Sequence, residues 1–289
     1  MKERFNRVHK LLMGKELGIL PGNLAYSFFL AIIPIVTLLF YFITSIDLRI
    51  DFIQSFLADT LPQSVVKYVK PVLTDEMSLT TFFTLWLSIV VMVSGCNSII
   101  ITSNTIYNFE NASFFRRLVK SLLLSIILIG LIAFLLIVPL LGRSIINLIG
   151  HFTNFIENNQ QFIDNLYTIL QIPVSLLVMF YIIKLIYYIA PDDSVPSKYM
   201  NKGALLTTVG WLLVTVLYSY YINNIARYDL VYGNLANIVI LLFWFYVLAY
   251  IFVLGLYINK NSAEAGIEKT NTIKLEEIRK RIKEDKKRK

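Results

Sequence analysis

The chain has 289 residues, of which 56% are hydrophobic and 16% charged, with a net charge of +8 and one cysteine; its mean hydropathy is +0.64. This balance is too apolar and too poor in charge for an ordinary soluble domain, and the lone Cys96 excludes an intramolecular disulfide, leaving a buried structural thiol as its plain reading. Windows without Asp, Glu, Lys or Arg occur at 18–46, 77–109, 121–142, 165–183, 203–226 and 230–259, each near or beyond the roughly 20 residues that carry a helix across about 30 Å of hydrocarbon.

Lipid satisfies no backbone N–H or C=O, so spanning segments are helices or closed barrels, and these runs lack the alternation of barrel strands. The expected fold is therefore all-α: a polytopic membrane protein with six transmembrane helices near 22–46, 81–104, 119–142, 166–189, 203–225 and 236–258. An amphipathic N-terminus, 1–20, precedes this 21–259 membrane domain, and a basic tail, 260–289, follows it. The first run is longer than a signal-peptide core and no small-residue cleavage site follows, so it is expected to stay as the first span.

In chain order, "ERFNRVHKLLMGKELGIL" puts Phe5, Val8, Leu11 and Leu12 on one side, as in an interfacial helix. Span one, "GNLAYSFFLAIIPIVTLLFYFITSI", carries Asn23 and Ser27 near its start and Pro34 near its middle. Pro34 implies a kink, or else a hinge or site-forming break. The outer loop from Asp47 to Thr80 suits two short amphipathic helices around Pro62. Span two contains "SGCNSIIITSN", with Ser94, Asn97, Ser98 and Asn104; span five contains Thr207, Thr208, Thr215, Asn223 and Asn224. Polar groups at this depth face partners or water, so they either bond neighbouring helices or line a polar path. Span four holds Pro173, in a position corresponding to Pro34 if the halves are inverted repeats. Lys184, near the end of that span, can snorkel to the interface, and Arg143 has the same ambiguity at the other face. The outer loop before span four, around "HFTNFIENNQQFIDNLYTIL", again has amphipathic spacing, and the tail can form a short helix through Leu275, Ile278 and Ile282.

Lys and Arg divide unevenly, with 21 on the side of the two termini against five opposite. The positive-inside rule thus puts both termini in the cytoplasm. The basic segments then meet the anionic inner leaflet, making membrane lipids the expected partners and a nucleic-acid groove unexpected. A homo-oligomer is compatible with the sequence.

Parts for catalysis are scarce. His9 and His151 fall at opposite faces, and HExxH, CxxC, EF-hand and Gly-rich phosphate motifs are missing, so no enzyme activity, metal or cofactor is expected. Asp192 and Asp193 in "IYYIAPDDSVPSKYMNKGA" read as a turn or helix cap rather than a metal site.

The stretches "LAYSFFLAIIPIVTLL", "LSIVVMVSGCNSIIITSNTIYN", "IYYIAPDDSVPSKYMNKGALLTTVGW" and "YGNLANIVILLFWFYVLAYIFVLGLYIN" resemble the YihY/virulence factor BrkB family, in order and across nearly the whole membrane region. Positions matching its signatures are Ala25, Tyr26, Pro34, Asn104, Tyr107, Pro191, Gly203, Ala204, Tyr232, Gly233, Trp244 and Gly255. The resemblance implies a six-helix inner-membrane protein with cytoplasmic termini, in a family linked to serum resistance and envelope lipid handling. Its old "ribonuclease BN" label is generally regarded as a misassignment. Where relatives commonly read "GAE" near the end of helix six, this chain reads Gly255, Leu256, Tyr257; if that Glu carries protons or charge in relatives, this chain needs another group. The sequence thus points to transporter-like handling of a lipid or other envelope amphiphile in the plasma membrane. The alternative is a non-transporting scaffold that recruits a cytoplasmic partner through its basic tail.

Overall fold

The computed structural model describes residues 18–31, 34, 79–150, 160–224 and 234–288. The expected amphipathic segments at 1–17 and 47–78, and family positions Tyr232 and Gly233, lie outside the described residues, as does the side chain of Asn223.

Among the described residues all regular structure is helical: α1, Gly18–Ala31; α2, Leu79–Tyr107; α3, Phe114–Gly150; α4, Gln160–Ile189; a single 3-10 turn, Ser197–Met200; α5, Asn201–Asn224; and α6, Asn234–Arg288. Five of these, α2 to α6, are long and apolar enough to cross a membrane, whereas α1 is a shorter apolar helix over the residues described. Several helices outrun their charge-free windows. α3 continues past Arg143 to Gly150, α4 begins at Gln160, and α6 runs unbroken for 55 residues into the basic tail. A charge-free run measures the part that tolerates hydrocarbon, but the backbone ladder persists wherever side chains allow it, and Lys, Glu and Arg are good helix formers.

Neighbours in the bundle are α5 with α6, α2 with α3, α3 with α4, α4 with α5, and α6 with α2. Leu24, Ile99, Ile100, Leu124, Ile183, Ile186, Tyr187 and Phe252 fill the centre with almost no exposure. Equally large apolar side chains, including Trp86, Ile126, Ile172, Leu217 and Phe243, point outward. Helices apolar on both faces bury one against neighbours and offer the other to lipid.

Inside lipid the hydrophobic effect gives helices little reason to associate, so close packing and hydrogen bonds must. On α1 and α2 a Cβ at Gly95 would lie 3.0 Å from Ala31 Cβ and 3.3 Å from the Ser27 carbonyl oxygen. α5 and α6 cross most tightly at Gly203 and Gly255, where a Cβ on Gly203 would run into the Gly255 carbonyl. Beside this crossing Asn259 Oδ1 accepts from the Gly203 N–H at 2.8 Å. The Tyr187 hydroxyl lies 2.6 Å from Thr207 Oγ1 and donates to the Phe252 carbonyl at 2.8 Å, and Trp211 Nε1 donates to the Leu248 carbonyl at 2.9 Å. Tyr187 thereby ties α4 to both α5 and α6.

Candidate functional site

The polar centre of the molecule lies where the turn between α2 and α3 meets the turn between α4 and α5. α2 stops at Asn108, whose φ of 56° is the left-handed conformation that Asn adopts at helix ends. The Phe109 N–H closes back on the Asn104 carbonyl at 2.9 Å, and the rings of Tyr107 and Phe109 stack with centroids 5.5 Å apart. α3 restarts a few residues on, so Asn111 and Ala112 are held close to the last turn of α2. On the other side Pro191 cannot continue α4, and Asp192 follows it directly.

Asp192 joins the two turns. Its Oδ2 accepts from Asn104 Nδ2 at 2.7 Å and from the Ala112 N–H at 2.9 Å, while its Oδ1 accepts from Lys120 Nζ at 2.9 Å. Its own N–H donates to Asn104 Oδ1 at 2.8 Å. Lys120 Nζ also donates to the carbonyls of Pro191, at 2.6 Å, and Ala190, at 3.3 Å, at the C-terminal end of α4. Asn104 completes the set by donating to Asn111 Oδ1 at 2.9 Å. The Asp192 side chain is 4% exposed and that of Lys120 19%. Burial works to raise the pKa of Asp192, but the Ala112 N–H, the Lys120 ammonium and the Asn104 amide outweigh it and hold the carboxyl below the usual range. Asp192 is therefore ionised near neutrality and fully engaged.

This clasp has a particular place in the fold. The hydrogen bonds Ser27 to Ser98 and Ser125 to Cys96 stay within α1–α3, and those of Tyr187, Trp211 and Asn259 stay within α4–α6. Among the described residues, hydrogen bonds that cross from one three-helix half to the other include those of the clasp and a contact from the Tyr107 hydroxyl to Met200 Sδ at 3.6 Å. Apolar packing also joins the halves, as in the edge-on pairs Phe28 with Phe252 and Phe29 with Phe245.

The structure brings together some of the sequence candidates. Ser27 and Ser98 share a hydrogen bond with oxygens 2.7 Å apart, and Asn104 is 1% exposed at the heart of the clasp. Pro191, Gly203, Tyr107 and Gly255 are buried. Asn97, Lys184 and Trp244 are half-buried, whereas Asn23 and Tyr26 are exposed. Pro34 is buried and helical, while Pro173 sits on an exposed face of α4, which stays helical on both sides of it. Asp192, read from sequence as a turn or cap, does take an N–H of the turn before α3, but on a segment 80 residues away. Nothing local marks Lys120, Tyr187 or Asn259, whose partners lie 72, 65 and 56 residues away, and Asn111 meets Asn104 only because the chain folds back after α2. Some polar atoms are buried without a partner: Thr102 Oγ1, Ser103 Oγ, Ser121 Oγ, Asn259 Nδ2, Trp244 Nε1 and Arg117 Nε. Among the described residues no group of three His, Cys, Asp or Glu is arranged to hold a metal ion.

Residues 13–277 match the family profile described as Virulence factor BrkB. YfkH of Bacillus subtilis, which bears a ribonuclease-like name, is 26% identical over 264 residues, covering 90% of this chain and 93% of that protein. A UPF0761 membrane protein of Aggregatibacter aphrophilus is also 26% identical over 264 residues, covering 89% of this chain and 90% of its own. A UPF0761 membrane protein of Chromobacterium violaceum is 38% identical over 74 residues, covering 26% of this chain and 18% of its own. No solved structure matches the chain.

Proposed function

The chain belongs to the virulence factor BrkB family of membrane proteins, and on that premise we propose that it moves or handles a lipid or other envelope amphiphile along the interior of its helix bundle. The plasma membrane, with both termini in the cytoplasm, is the setting that the charge distribution favours. The observation that carries the proposal is the set of orphaned polar atoms inside apolar spans: Thr102 Oγ1, Ser103 Oγ, Ser121 Oγ and Asn259 Nδ2 are buried and unpartnered. Each costs about 1–3 kcal/mol when left so, and an intramembrane bundle retains such groups where a polar head group or water passes. The basic tail and the anionic leaflet would concentrate charged lipid near the bundle.

The test is reconstitution of the pure protein into liposomes carrying a head-group-labelled lipid. Accelerated transfer between leaflets, slowed by Thr102→Val and Ser121→Ala in protein of unchanged helicity, is the expected outcome. Transfer no faster than in empty liposomes would sink the proposal.

A second reading, the scaffold, is favoured by one observation: α6 continues as helix to Arg288, well beyond its apolar window ending at Gly266. Such a helix carries its basic end away from the bundle, within reach of a cytoplasmic partner. Truncation after Gly266 leaves lipid transfer intact on the first reading and abolishes partner capture on the second.

A further inference from the structure

We propose that the α2–α3 turn is a phosphate-binding site whose occupant in this structure is the chain's own Asp192, and that the phosphate of an amphiphile, or free phosphate, takes the same donors when the two halves part. The donors Asn104 Nδ2, Ala112 N–H and Lys120 Nζ all belong to one half, and the carboxylate they hold belongs to the other. Cradle and anion therefore lie on opposite halves, and parting them also frees Lys120 Nζ from the Ala190 and Pro191 carbonyls and Asn104 Oδ1 from the Asp192 N–H.

The cradle is better suited to a phosphate than to a carboxylate. It stands at the positive end of α3, where free N–H groups and the helix dipole favour an anion. The first turn of α3 has no acid, while Arg116, Arg117 and Lys120 lie in its first two turns. Ser103 and Ser121, the sequence neighbours of Asn104 and Lys120, are both 0% exposed with unpartnered hydroxyls, and Arg117 Nε is buried without a partner. A phosphate meets the three donors that Asp192 now occupies with further oxygens and more negative charge to spare. Phe114 and Phe115, 73% and 74% exposed beside the cradle, offer an apolar surface to acyl chains. Because Asp192 is tethered, it competes at an effective concentration in the mM range, so the wild-type site is masked.

In naming a ligand class this inference rests on the amphiphile-handling reading, but binding is measured apart from transport. Purified full-length protein in neutral detergent is dialysed to equilibrium against inorganic phosphate, with chloride at matched ionic strength as the reference. Asp192→Asn should bind phosphate at least about tenfold more tightly than wild type, the equivalent of about 1.4 kcal/mol, and Lys120→Met added to it should remove the gain. Nanodiscs distinguish the sources: phosphatidylglycerol that competes with phosphate where phosphatidylcholine does not identifies a lipid head group, and no competition identifies free phosphate. Folded Asp192→Asn protein that binds no better than wild type, or as well without Lys120, overturns the proposal. A measurement with Asp192 and its donors intact stands independently of how that variant folds: spin labels at Glu110→Cys and Ser194→Cys, on a Cys96→Ser background, should move apart in high phosphate and not in chloride. An unchanged distance also overturns it. Phosphate binding with no lipid transfer would end the transport reading and leave the site standing.

Discussion

Gly203 and Gly255 meet across α5 and α6 so closely that a Cβ on either one would encounter the other's carbonyl oxygen. For Gly203 the nearest obstacle is the Gly255 carbonyl, whereas a Cβ on Gly255 first meets the hydroxyls of Tyr187 and Thr207, a buried pair bonded to each other, with the Gly203 carbonyl 3.0 Å away. Gly203→Ala and Gly255→Ala should each cost about 1–3 kcal/mol through overpacking, seen as a lowered midpoint in thermal unfolding of detergent-purified protein. Gly130, on α3, has nothing within 4 Å of an added Cβ. Gly130→Ala should leave the midpoint unchanged or raise it, since alanine restricts the unfolded backbone and favours helix. Equal losses at all three positions would remove the close crossing as the cause.

The Tyr187 hydroxyl, bonded to Thr207 and to the Phe252 carbonyl, predicts a second, smaller effect. Tyr187→Phe keeps the ring against Phe252, with centroids 4.6 Å apart, and deletes only the oxygen. Interhelical hydrogen bonds in membranes average about 0.6 kcal/mol, so this variant should lose about 0.6–1.5 kcal/mol. Thr207→Val added to Tyr187→Phe should cost little more, because the pair is already broken. Additive losses in thermal or denaturant unfolding would show that the two hydroxyls act separately.

The contrast between these contacts and the helices that carry them shows what could be read in advance. Apolar runs mark the spans because crossing hydrocarbon is a property of each segment alone, and α2 and α5 lie close to their windows for that reason. The depth of Asn104 marks it in the sequence, but its partner Asp192 lies 88 residues away, and pairing at that separation depends on how two turns are brought together. Nothing in the local sequence distinguishes Asp192 from Asp193, which is exposed. Gly203 and Asn259 are similar: each looks ordinary in its own helix and gains meaning only from the crossing. Tyr257, where the resemblance leads one to expect a Glu, is buried.

The clasp makes stability dependent on acid. The folded pKa of Asp192 lies below its ordinary value, so its contribution is present above the unfolded pKa, about 3.9. It is lost as pH falls from there through the folded value. Between neutral pH and about 5 the clasp should therefore be indifferent to pH. Below about 4, wild type should lose stability more steeply than Asp192→Asn, whose side chain does not titrate. Melting curves of the two proteins across this range should converge in acid, and parallel curves would show that Asp192 is not stabilised as a carboxylate.

Lys120 is the other half of the charge pair, and the two residues should be coupled rather than independent. Lys120→Met leaves the Asp192 carboxylate, 4% exposed, with only its two neutral donors and strips the Ala190 and Pro191 carbonyls of a partner. Removing one member of a buried pair costs about 3–5 kcal/mol; the lower end applies here, because Lys120 keeps 19% of its side chain exposed and water relieves part of the loss. Lys120→Arg should recover little, since a planar guanidinium cannot direct three donors from one nitrogen at two carbonyls and a carboxylate. In Lys120→Met with Asp192→Asn the unpaired charge is gone, so the double variant should be more stable than the sum of single losses implies. A coupling energy near zero in that cycle, measured by reversible unfolding in detergent, would mean that Lys120 holds the end of α4 through its carbonyls alone and that the ion pair adds nothing to the clasp.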